Sequence, residues 1–438
     1  MRRGSLRVAL CALLGGATAV HAQGAPTCGT SLGTRPADDT SLTSTLRHHA
    51  YLGLAQRLHD GAFYGAHEKE LLTGILASHQ NQHAIAIRLL EPLARREWPG
   101  QSYVRFAAQA ALAQSYEKSF QYGRAASEYR SMVLDSTVLS DNEVRGSADS
   151  RQVMELLDGA AAQRVVAPAR FAILSHGNKL GLKEVTVRSG STSVPWIFDT
   201  GASISTITET FARRIGAQLS AKAAATQGIG GHTVPLRVAL IPELRIAAAV
   251  VKNVAVLVVP DSTLFISQLD YQINAILGYP VIAALGEVTL HHDGRIDVRR
   301  SGSAALAQDA NLYMEGSTPL LAAKVDGRTD LYQFDSGANQ SFLTQRFCAT
   351  HSLAGRGATA SNYGMAGAGG SRALPSYIVP TLHVEIGGAS SQLANVHVLT
   401  GLIGTELDLA FGNLGQDLVG PFKSYSLDFR RMRFTLER

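Results

Sequence analysis

Cysteine is scarce in this chain, and so are charged side chains and long apolar runs. The 438 residues include 3 cysteines, and charged residues make up 17% of the total. So few cysteines exclude a disulfide-rich small scaffold, and 45% hydrophobic residues exclude a disordered protein. The formal net charge of +5 is too small for a basic nucleic-acid surface. We therefore expect a globular protein of two or three domains with no nucleic-acid partner.

Several catalytic signatures are also missing from the sequence. The adjacent pairs His48-His49 and His291-His292 lack the spacing of a metal site, and there is no HExxH motif. No Gly-x-Ser-x-Gly elbow joins a strand to a helix, and Cys348 has no identifiable base to activate it. The sequence thus predicts no metal site, and it argues against a serine or cysteine nucleophile.

One apolar run stands near the start of the chain. Arg2, Arg3 and Arg7 precede a run from Val8 to Val20, and Val20-His21-Ala22 then offers small residues at the positions that a signal peptidase reads. The run is shorter than the roughly 20 residues that a membrane-spanning helix needs. We predict a signal peptide over residues 1–22, export to the periplasm or the extracellular space, and no membrane insertion after cleavage.

Cleavage there leaves Cys28 and Cys348 as the two cysteines of an exported protein. In an oxidising compartment they could pair and tie the N-terminal tail, residues 23–45, to the C-terminal region. Sequence does not test the geometry of such a bond. A disulfide and two free thiols are therefore both open.

Residues 46–165 form a predicted α-helical domain, because the periodicity is helical and glycine and proline are sparse. Leu112, Tyr116, Ala125, Ala126 and Tyr129 loosely resemble the small-and-aromatic pattern of tetratricopeptide (TPR) helical hairpins. Helix packing is the favoured explanation for the two tyrosines, because aromatic stripes normally fill cores. We interpret the domain as a scaffold, while a prosegment or a module that docks a protein partner stays open.

From about Arg164 onward the sequence is β-rich, with period-two alternation and frequent glycine, proline, serine and threonine. Two short stretches there are nearly the same: Phe198-Asp199-Thr200-Gly201-Ala202-Ser203 and Phe334-Asp335-Ser336-Gly337-Ala338-Asn339. Each puts a carboxylate, a hydroxyl and a glycine directly after an apolar, strand-like run. One such loop supplies half of an acid–base pair, and two copies can supply both halves.

The repeat continues far beyond these motifs. Gly278, in Ala275-Ile276-Leu277-Gly278, follows the first aspartate by 79 residues, and Gly415, in Gly412-Asn413-Leu414-Gly415, follows the second by 80. Both glycines lead into closing strands. A lone Asp-Thr-Gly is most simply a turn, but two copies in register predict two homologous β-lobes, residues 166–303 and 304–438.

Each half of this region has the same order: an apolar strand, then Asp-Ser/Thr-Gly-Ala, then a hydrophobic-hydrophobic-Gly segment. This order resembles the aspartic proteases. Ala202, Ala338 and the compact lobes are most similar to the retropepsin-type branch, here fused as a tandem pair. The resemblance implies an all-β bilobal fold behind the all-α region, with the two Asp loops meeting at a pseudo-twofold axis. It implies an exported endopeptidase whose catalytic dyad is Asp199 and Asp335, acting on peptide or protein substrates.

The chemistry of such a dyad follows from the two carboxylates themselves. At about 3 Å apart they cannot both stay ionised, so they share one proton. The ionised member can take a proton from water while the protonated member polarises a peptide carbonyl. Neither a metal nor an organic cofactor is needed.

The residues beside the aspartates have predicted supporting roles. Gly201 and Gly337 permit a tight loop in which backbone N–H groups face the carboxylates. By resemblance, Thr200 and Ser336 hydrogen-bond across the lobe interface and hold the two loops together. Replacing these hydroxyls should loosen the dyad more than remove it.

Seven further residues are predicted to meet the substrate. Two of them stand where the retroviral-like pattern usually has an acid or small polar residue that contacts substrate backbone: Ser203 and Asn339. This departure leaves substrate positioning in question. Five others lie in glycine-rich hairpin tips that can close as lids: Gly228, Ile229, Gly230, Met365 and Gly367. Ordinary hairpin turns explain those glycines equally well.

Two rival hypotheses stand beside the peptidase. One is a non-catalytic peptide-binding or partner-recruiting protein built on the same scaffold, although both aspartates are intact, which favours the enzyme. The other is a zymogen that residues 23–165 hold closed.

Overall fold

A computed structural model describes Cys28 and residues 42–61, 67–98, 102–134, 139–227, 233–300, 305–367 and 370–438. The predicted signal peptide lies outside the described residues, as does most of the predicted tail. In the described part, helices come first and strands follow. This order confirms the prediction of an all-α region in front of a β-rich one.

The described helical region contains seven helices: α1 (Leu42–Arg47), α2 (Tyr51–Asp60), α3 (Glu68–His79), α4 (His83–Ala94), α5 (Ser102–Lys118), α6 (Tyr122–Leu134) and α7 (Asp141–Leu156). Helices α3 to α7 pack in succession, and Leu71, Leu90 and Leu112 are completely buried between them. Their likeness to TPR hairpins stays a prediction. Among the helices described, none has the length and apolar character to cross a membrane.

The first lobe begins with β1 (Arg164–Val166), which pairs with β9 (Ala249–Val259) of the same lobe. Its other elements are β2 (Arg170–Gly177), β3 (Lys183–Ser189), β4 (Thr192–Phe198), β5 (Ser205–Thr208), α8 (Glu209–Arg214), β6 (Gln218–Leu219), β7 (Ala224–Gln227), β8 (Thr233–Ile246), β9 (Ala249–Val259), β10 (Phe265–Ile266), β11 (Tyr271–Gln272), β12 (Ala275–Leu277), α9 (Tyr279–Ala284), β13 (Glu287–His291) and β14 (Arg295–Arg299).

The second lobe repeats this order in a shorter form. Its elements are β15 (Leu312–Glu315), β16 (Thr318–Val325), β17 (Arg328–Phe334), β18 (Phe342–Leu343), α10 (Gln345–Thr350), β19 (Thr359–Gly367), β20 (Gly370–Ile386), β21 (Ala389–Leu399), β22 (Gly412–Leu414), α11 (Gln416–Val419), β23 (Ser424–Asp428) and β24 (Arg433–Glu437). In both lobes a hairpin leads into the Asp loop, and a later strand returns beside it. The fold is thus a pair of β-rich lobes with the same order of elements.

The returning strand fixes the start of each Asp loop. In the first lobe β12 pairs in parallel with β4 and antiparallel with β5, and β22 does the same with β17 and β18. The N–H of Asp199 donates to the carbonyl of Leu277 at 3.1 Å, and that of Asp335 donates to Leu414 at 3.0 Å. The hydrophobic-hydrophobic-Gly segments therefore lie directly beside the aspartates, although they are far away in sequence.

The closing hairpins join the two lobes into one body. Strand β13 of the first lobe pairs antiparallel with β23 of the second, from Glu287 opposite Asp428 to His291 opposite Ser424. Strands β14, β13, β23 and β24 thereby form one continuous sheet. Because a register slip would move every buried side chain to the other face, this pairing sets how the lobes face each other.

The helical region packs on both lobes. Asn81, which follows α3, donates to the carbonyl of Phe429 at 3.1 Å and accepts from the hydroxyl of Tyr279 at 3.0 Å. Asn253 of the first lobe donates to the carbonyl of Ala162 at 3.0 Å. One cluster of buried apolar side chains runs from the helices to the facing sides of both lobes. The helices and the lobes therefore share a core.

A disulfide bond joins Cys28 to Cys348, with 5.6 Å between their Cα atoms. Cys348 lies in α10 of the second lobe and is buried. The bond closes a separation of 320 residues. Of the two states that the sequence left open, the structure therefore shows the paired one.

Replacing both cysteines, as Cys28→Ser with Cys348→Ser, should lower the free energy of unfolding by about 2–5 kcal/mol, because the crosslink restricts the unfolded chain. Denaturant titration under oxidising conditions measures the difference. Adding a reductant should lower the stability of the wild type to that of the double variant and leave the variant unchanged. Equal stability of the two proteins without reductant would contradict the pairing.

Candidate active site

Each catalytic candidate sits where a central strand ends. Asp199 follows β4 and Asp335 follows β17, and both carboxylates are 0% exposed. The chain turns at once, so the N–H of Gly201 donates to Oδ1 of Asp199 at 2.8 Å. In the second lobe the N–H of Gly337 donates to Oδ1 of Asp335 at 2.7 Å. Both predicted backbone donors are thus in place.

The two Asp loops are held together by hydrogen bonds that cross the lobe interface. The N–H of Thr200 donates to the Ser336 hydroxyl at 3.0 Å, and the N–H of Ser336 donates to the Thr200 hydroxyl at 3.0 Å. The Ser336 hydroxyl also donates to the carbonyl of Phe198 at 3.0 Å. The structure therefore contains the crosslink that the resemblance implied, and it is reciprocal.

The glycines are required because the loops approach so closely. A Cβ on Gly201 would lie 2.5 Å from Cγ of Asp335, and a Cβ on Gly337 would lie 2.7 Å from Cγ of Asp199. Real Cβ atoms do not approach other atoms this closely. Each glycine thus makes room for the carboxylate of the opposite lobe.

Burial and like charge both act on the dyad. Burial raises the pKa of Asp199 well above its usual value, and the charge of Asp335 and a hydrogen bond to its side chain raise it further. The N–H groups of Gly201 and Ala202 act in the opposite direction and favour the charged form. The two carboxyls are therefore arranged to share one proton.

The structure gives Asn339 a partner within the protein. Its side-chain amide donates to the carbonyl of Leu180, in the turn between β2 and β3 of the first lobe, at 2.7 Å. Ser203, at the same place in the first Asp loop, is half-buried. A role for either residue in substrate binding stays a prediction.

The predicted lid residues follow or belong to paired strands. In the first lobe β7 pairs with β8 up to Gln227 opposite Thr233, and Gly228, Ile229 and Gly230 lie outside the described residues. In the second lobe β19 pairs with β20 up to Gly367 opposite Gly370. Met365 is 2% exposed and belongs to the same apolar cluster as Leu180 of the first lobe. The second hairpin is therefore packed inward.

Sequence reasoning missed the hydroxyls that hold the returning strands. Ser205 accepts the N–H of Gly278 at 3.0 Å, and Ser341 accepts the N–H of Gly415 at 3.0 Å. In the second lobe Asp417 also accepts from the hydroxyl of Ser341, at 2.6 Å. The two serines occupy the same offset from their aspartates, so a residue-by-residue alignment of the two halves would have found them.

Comparison with known proteins bears on the first lobe. Residues 184–281 match a family model described as aspartyl protease, which runs from β3 into α9 and includes the Asp199 loop. No curated protein matches the chain. Among solved structures, a retropepsin-like aspartic protease from Rickettsia conorii aligns with 31% of this chain and 92% of its own, at 16% identity and a TM-score of 0.22. That TM-score is too low to support an inference.

The family match over residues 184–281 confirms the resemblance to the aspartic proteases, and the duplicated order of elements agrees with it. The family match ends before the second lobe. The relation of the second lobe to the first rests on the repeated order of their elements. No group of three or more His, Cys, Asp or Glu side chains in the described ranges is arranged to hold a metal ion.

Gly201→Ala and Gly337→Ala should each lower peptide hydrolysis by about 100-fold or more, because the new Cβ displaces the carboxylate of the opposite lobe and a shift of about 1 Å can have that effect. Gly177→Ala is the matched control, since a Cβ there meets nothing within 4 Å. Steady-state hydrolysis of a peptide substrate measures both. Full activity in Gly201→Ala would show that the loops do not pack as described.

Thr200→Val keeps the shape of the side chain and removes the oxygen that accepts the N–H of Ser336. The orphaned N–H should lower the free energy of unfolding by about 1–3 kcal/mol and reduce hydrolysis. Thr206→Val is the control, because Thr206 is also buried but its hydroxyl donates only to Ile204 of its own loop, at 3.2 Å. Denaturant titration and hydrolysis assays compare the two. Equal losses would count against a special role for the cross-lobe bond.

Proposed function

We propose that this protein is an exported aspartic endopeptidase, in which Asp199 and Asp335 activate a water molecule that hydrolyses peptide bonds. The observation that carries the proposal is the buried pair of aspartates, one from each lobe, held by reciprocal hydrogen bonds between Thr200 and Ser336. The raised pKa of Asp199 supports a proton shared within the pair. The family match over the first lobe supports the reaction class.

The mechanism uses the two carboxyls in complementary states. The ionised carboxyl takes a proton from water as the water oxygen attacks the peptide carbonyl carbon, and the protonated carboxyl gives its proton to the carbonyl oxygen. A tetrahedral gem-diol results, with no bond to the enzyme. The carboxyl that took the proton from water then gives it to the amide nitrogen, the other carboxylate takes a proton from a gem-diol hydroxyl, and the C–N bond breaks to release an acid and an amine.

Extended peptides or unfolded protein segments are the proposed substrates. The dyad lies between two lobes, and the long hairpin β19–β20 packs inward with Met365 and Gly367 buried. A hairpin in this position can cover an extended chain and exclude water from the reaction. These features support cleavage within a chain.

Export belongs to the same proposal. The arginines and the apolar run before Ala22 support a cleaved signal peptide. The disulfide between Cys28 and Cys348 supports an oxidising destination, because such bonds persist in the periplasm and outside the cell.

Asp199→Asn and Asp335→Asn should each lower hydrolysis by about 100- to 10,000-fold, because each removes one half of the acid–base pair. A diverse peptide library is incubated with each protein, and the products are sequenced by mass spectrometry. Asp293→Asn is the matched control, since Asp293 lies in an exposed turn. Undiminished cleavage by both dyad variants would refute the proposal. Peptide binding without cleavage by the wild type would favour the non-catalytic hypothesis.

The same assay across pH gives a second readout of the dyad. Activity should be highest at acid pH and decline as the pH rises through the raised pKa, because the shared proton is then lost. Below the lower pKa of the pair it should decline again, since both carboxyls are protonated. A profile that rises into the alkaline range would contradict a carboxyl dyad.

A further inference from the structure

The turn between β2 and β3, residues 178–182, lies against the Asp335 loop. The carbonyl of Leu180 accepts a hydrogen bond from Asn339, which belongs to the Asp335 loop. In the second lobe the turn between β15 and β16, residues 315–318, has the same place in the order of elements. From this repeated order we expect the 315–318 turn to lie on the opposite side of the dyad.

Apart from its bond to Asn339, the 178–182 turn is held by groups of its own lobe. Asn178 accepts the N–H groups of Leu180 at 2.9 Å and Leu182 at 3.0 Å, and its amide donates to Glu184 at 3.0 Å. Glu184 also accepts from the hydroxyl of Tyr271 at 2.7 Å. Every one of these groups belongs to the first lobe.

The 315–318 turn is held by the helical region instead. Oε2 of Glu315 lies 2.7 Å from Nδ1 of His49, and it accepts a second hydrogen bond from the hydroxyl of Tyr51. Next to it, the carbonyl of Met314 accepts from Nδ1 of His79 at 2.6 Å. The rings of Tyr51 and His79 stack with 3.8 Å between their centroids. The helices thus take the place that Asn178 and Tyr271 have in the first lobe.

This contact is buried and carries charge. Glu315 is 9% exposed, and Tyr51 and His79 are buried with it. Burial alone would raise the pKa of Glu315, but the charge of His49 and its hydrogen bond hold the pKa well below the usual value. Burial would lower the pKa of His49, and the charge of Glu315 raises it instead. The two groups therefore form an ion pair between a helical region and a lobe.

Other charged groups surround the pair. Those that act on His49 or His79 are Lys118 from α5, Glu143 from α7 and Arg346 from α10. Arg346 also donates to the carbonyl of His48 at 2.8 Å. Burial lowers the pKa of His79 to about 4, so this ring is neutral above acid pH and donates through Nδ1. The second lobe is thus attached to the helices on both sides of His49.

We propose that the helical region is a permanent wall of the substrate cleft, and that Glu315 is the positioning residue that fixes the 315–318 turn against it. This inference rests on the proposed peptidase function. The sequence left open whether the helices are a scaffold, a prosegment or a docking module. The proposed wall favours the scaffold over the prosegment. Removing the helices would leave the carboxylate of Glu315 without His49 and Tyr51 and would uncover the shared apolar core.

One functional consequence is an asymmetric cleft. The 178–182 turn contacts the Asp335 loop and we expect the 315–318 turn on the opposite side, so a loosened turn should change the preference for substrate residues on one side of the scissile bond only. Loosening the 315–318 turn should affect one side, and loosening the 178–182 turn should affect the other. The chemical step should change little, because the dyad is held by other bonds.

The test compares Glu315→Gln with Glu184→Gln in the full-length protein. Glu315→Gln should raise KM about tenfold for library-derived peptides and keep kcat within about twofold, since substrate positioning changes and the dyad does not. The cleavage-site profile should shift on one side of the scissile bond, and Glu184→Gln should shift it on the other. Glu385→Gln, which removes an exposed ion pair with Lys324, is the control and should change neither.

Amide hydrogen exchange of residues 312–325 is measured on the same proteins and does not depend on activity. It should increase in Glu315→Gln and not in Glu385→Gln. Tyr51→Phe serves where Glu315→Gln does not fold, because it keeps the ring stacked on His79 and removes only one hydroxyl. An unchanged cleavage profile and KM, or equal shifts on both sides, would overturn the proposal.

Loss of the peptidase activity and loss of the positioning role give different results in these assays. A wild type that cleaves no peptide in any condition refutes the peptidase. In that case, faster exchange at 312–325 in Glu315→Gln together with weaker peptide binding still supports the positioning role, and unchanged exchange or binding refutes it. A wild type that cleaves peptides with the same profile as Glu315→Gln refutes the positioning role alone.

Discussion

The reciprocal hydrogen bonds between Thr200 and Ser336 are the constraint on which the site depends. Two carboxylates buried side by side repel each other whenever both are ionised, so the fold must supply the force that keeps them together. Each hydroxyl accepts the N–H of the opposite loop at 3.0 Å. Both members of the crosslink are buried, where water does not compete for the same groups.

That crosslink works only because longer-range elements bring the loops into position. The returning strands β12 and β22 hold the backbone of each aspartate, and the pairing of β13 with β23 fixes one lobe against the other. Three kinds of contact therefore build the site. They are the pairing of β13 with β23 between the lobes, the returning strand beside each Asp loop, and the hydrogen bonds between Thr200 and Ser336. The helices add a fourth contact, at Glu315, on the side of the second lobe.

The two halves of the chain show where sequence reasoning succeeds. The repeated Asp motif and the later Leu277-Gly278 and Leu414-Gly415 segments predicted two lobes, because a duplicated pattern leaves the same local signal twice. The change from helical to period-two spacing near Arg164 lies where β1 begins. Asn339 shows where such reasoning stops, since its partner Leu180 is far away in sequence and no local pattern connects them.

By itself the sequence determined the order of the domains, the two aspartates and their hydroxyl and glycine neighbours. These are local properties: spacing, propensity and a motif that occurs twice. Only the tertiary structure decided that Cys28 pairs with Cys348, that Asn339 binds Leu180, and that Glu315 is buried against His49. Each of these is a contact between segments that the chain brings together only when it folds, and the free energy of such a contact depends on burial and geometry that no linear spacing records.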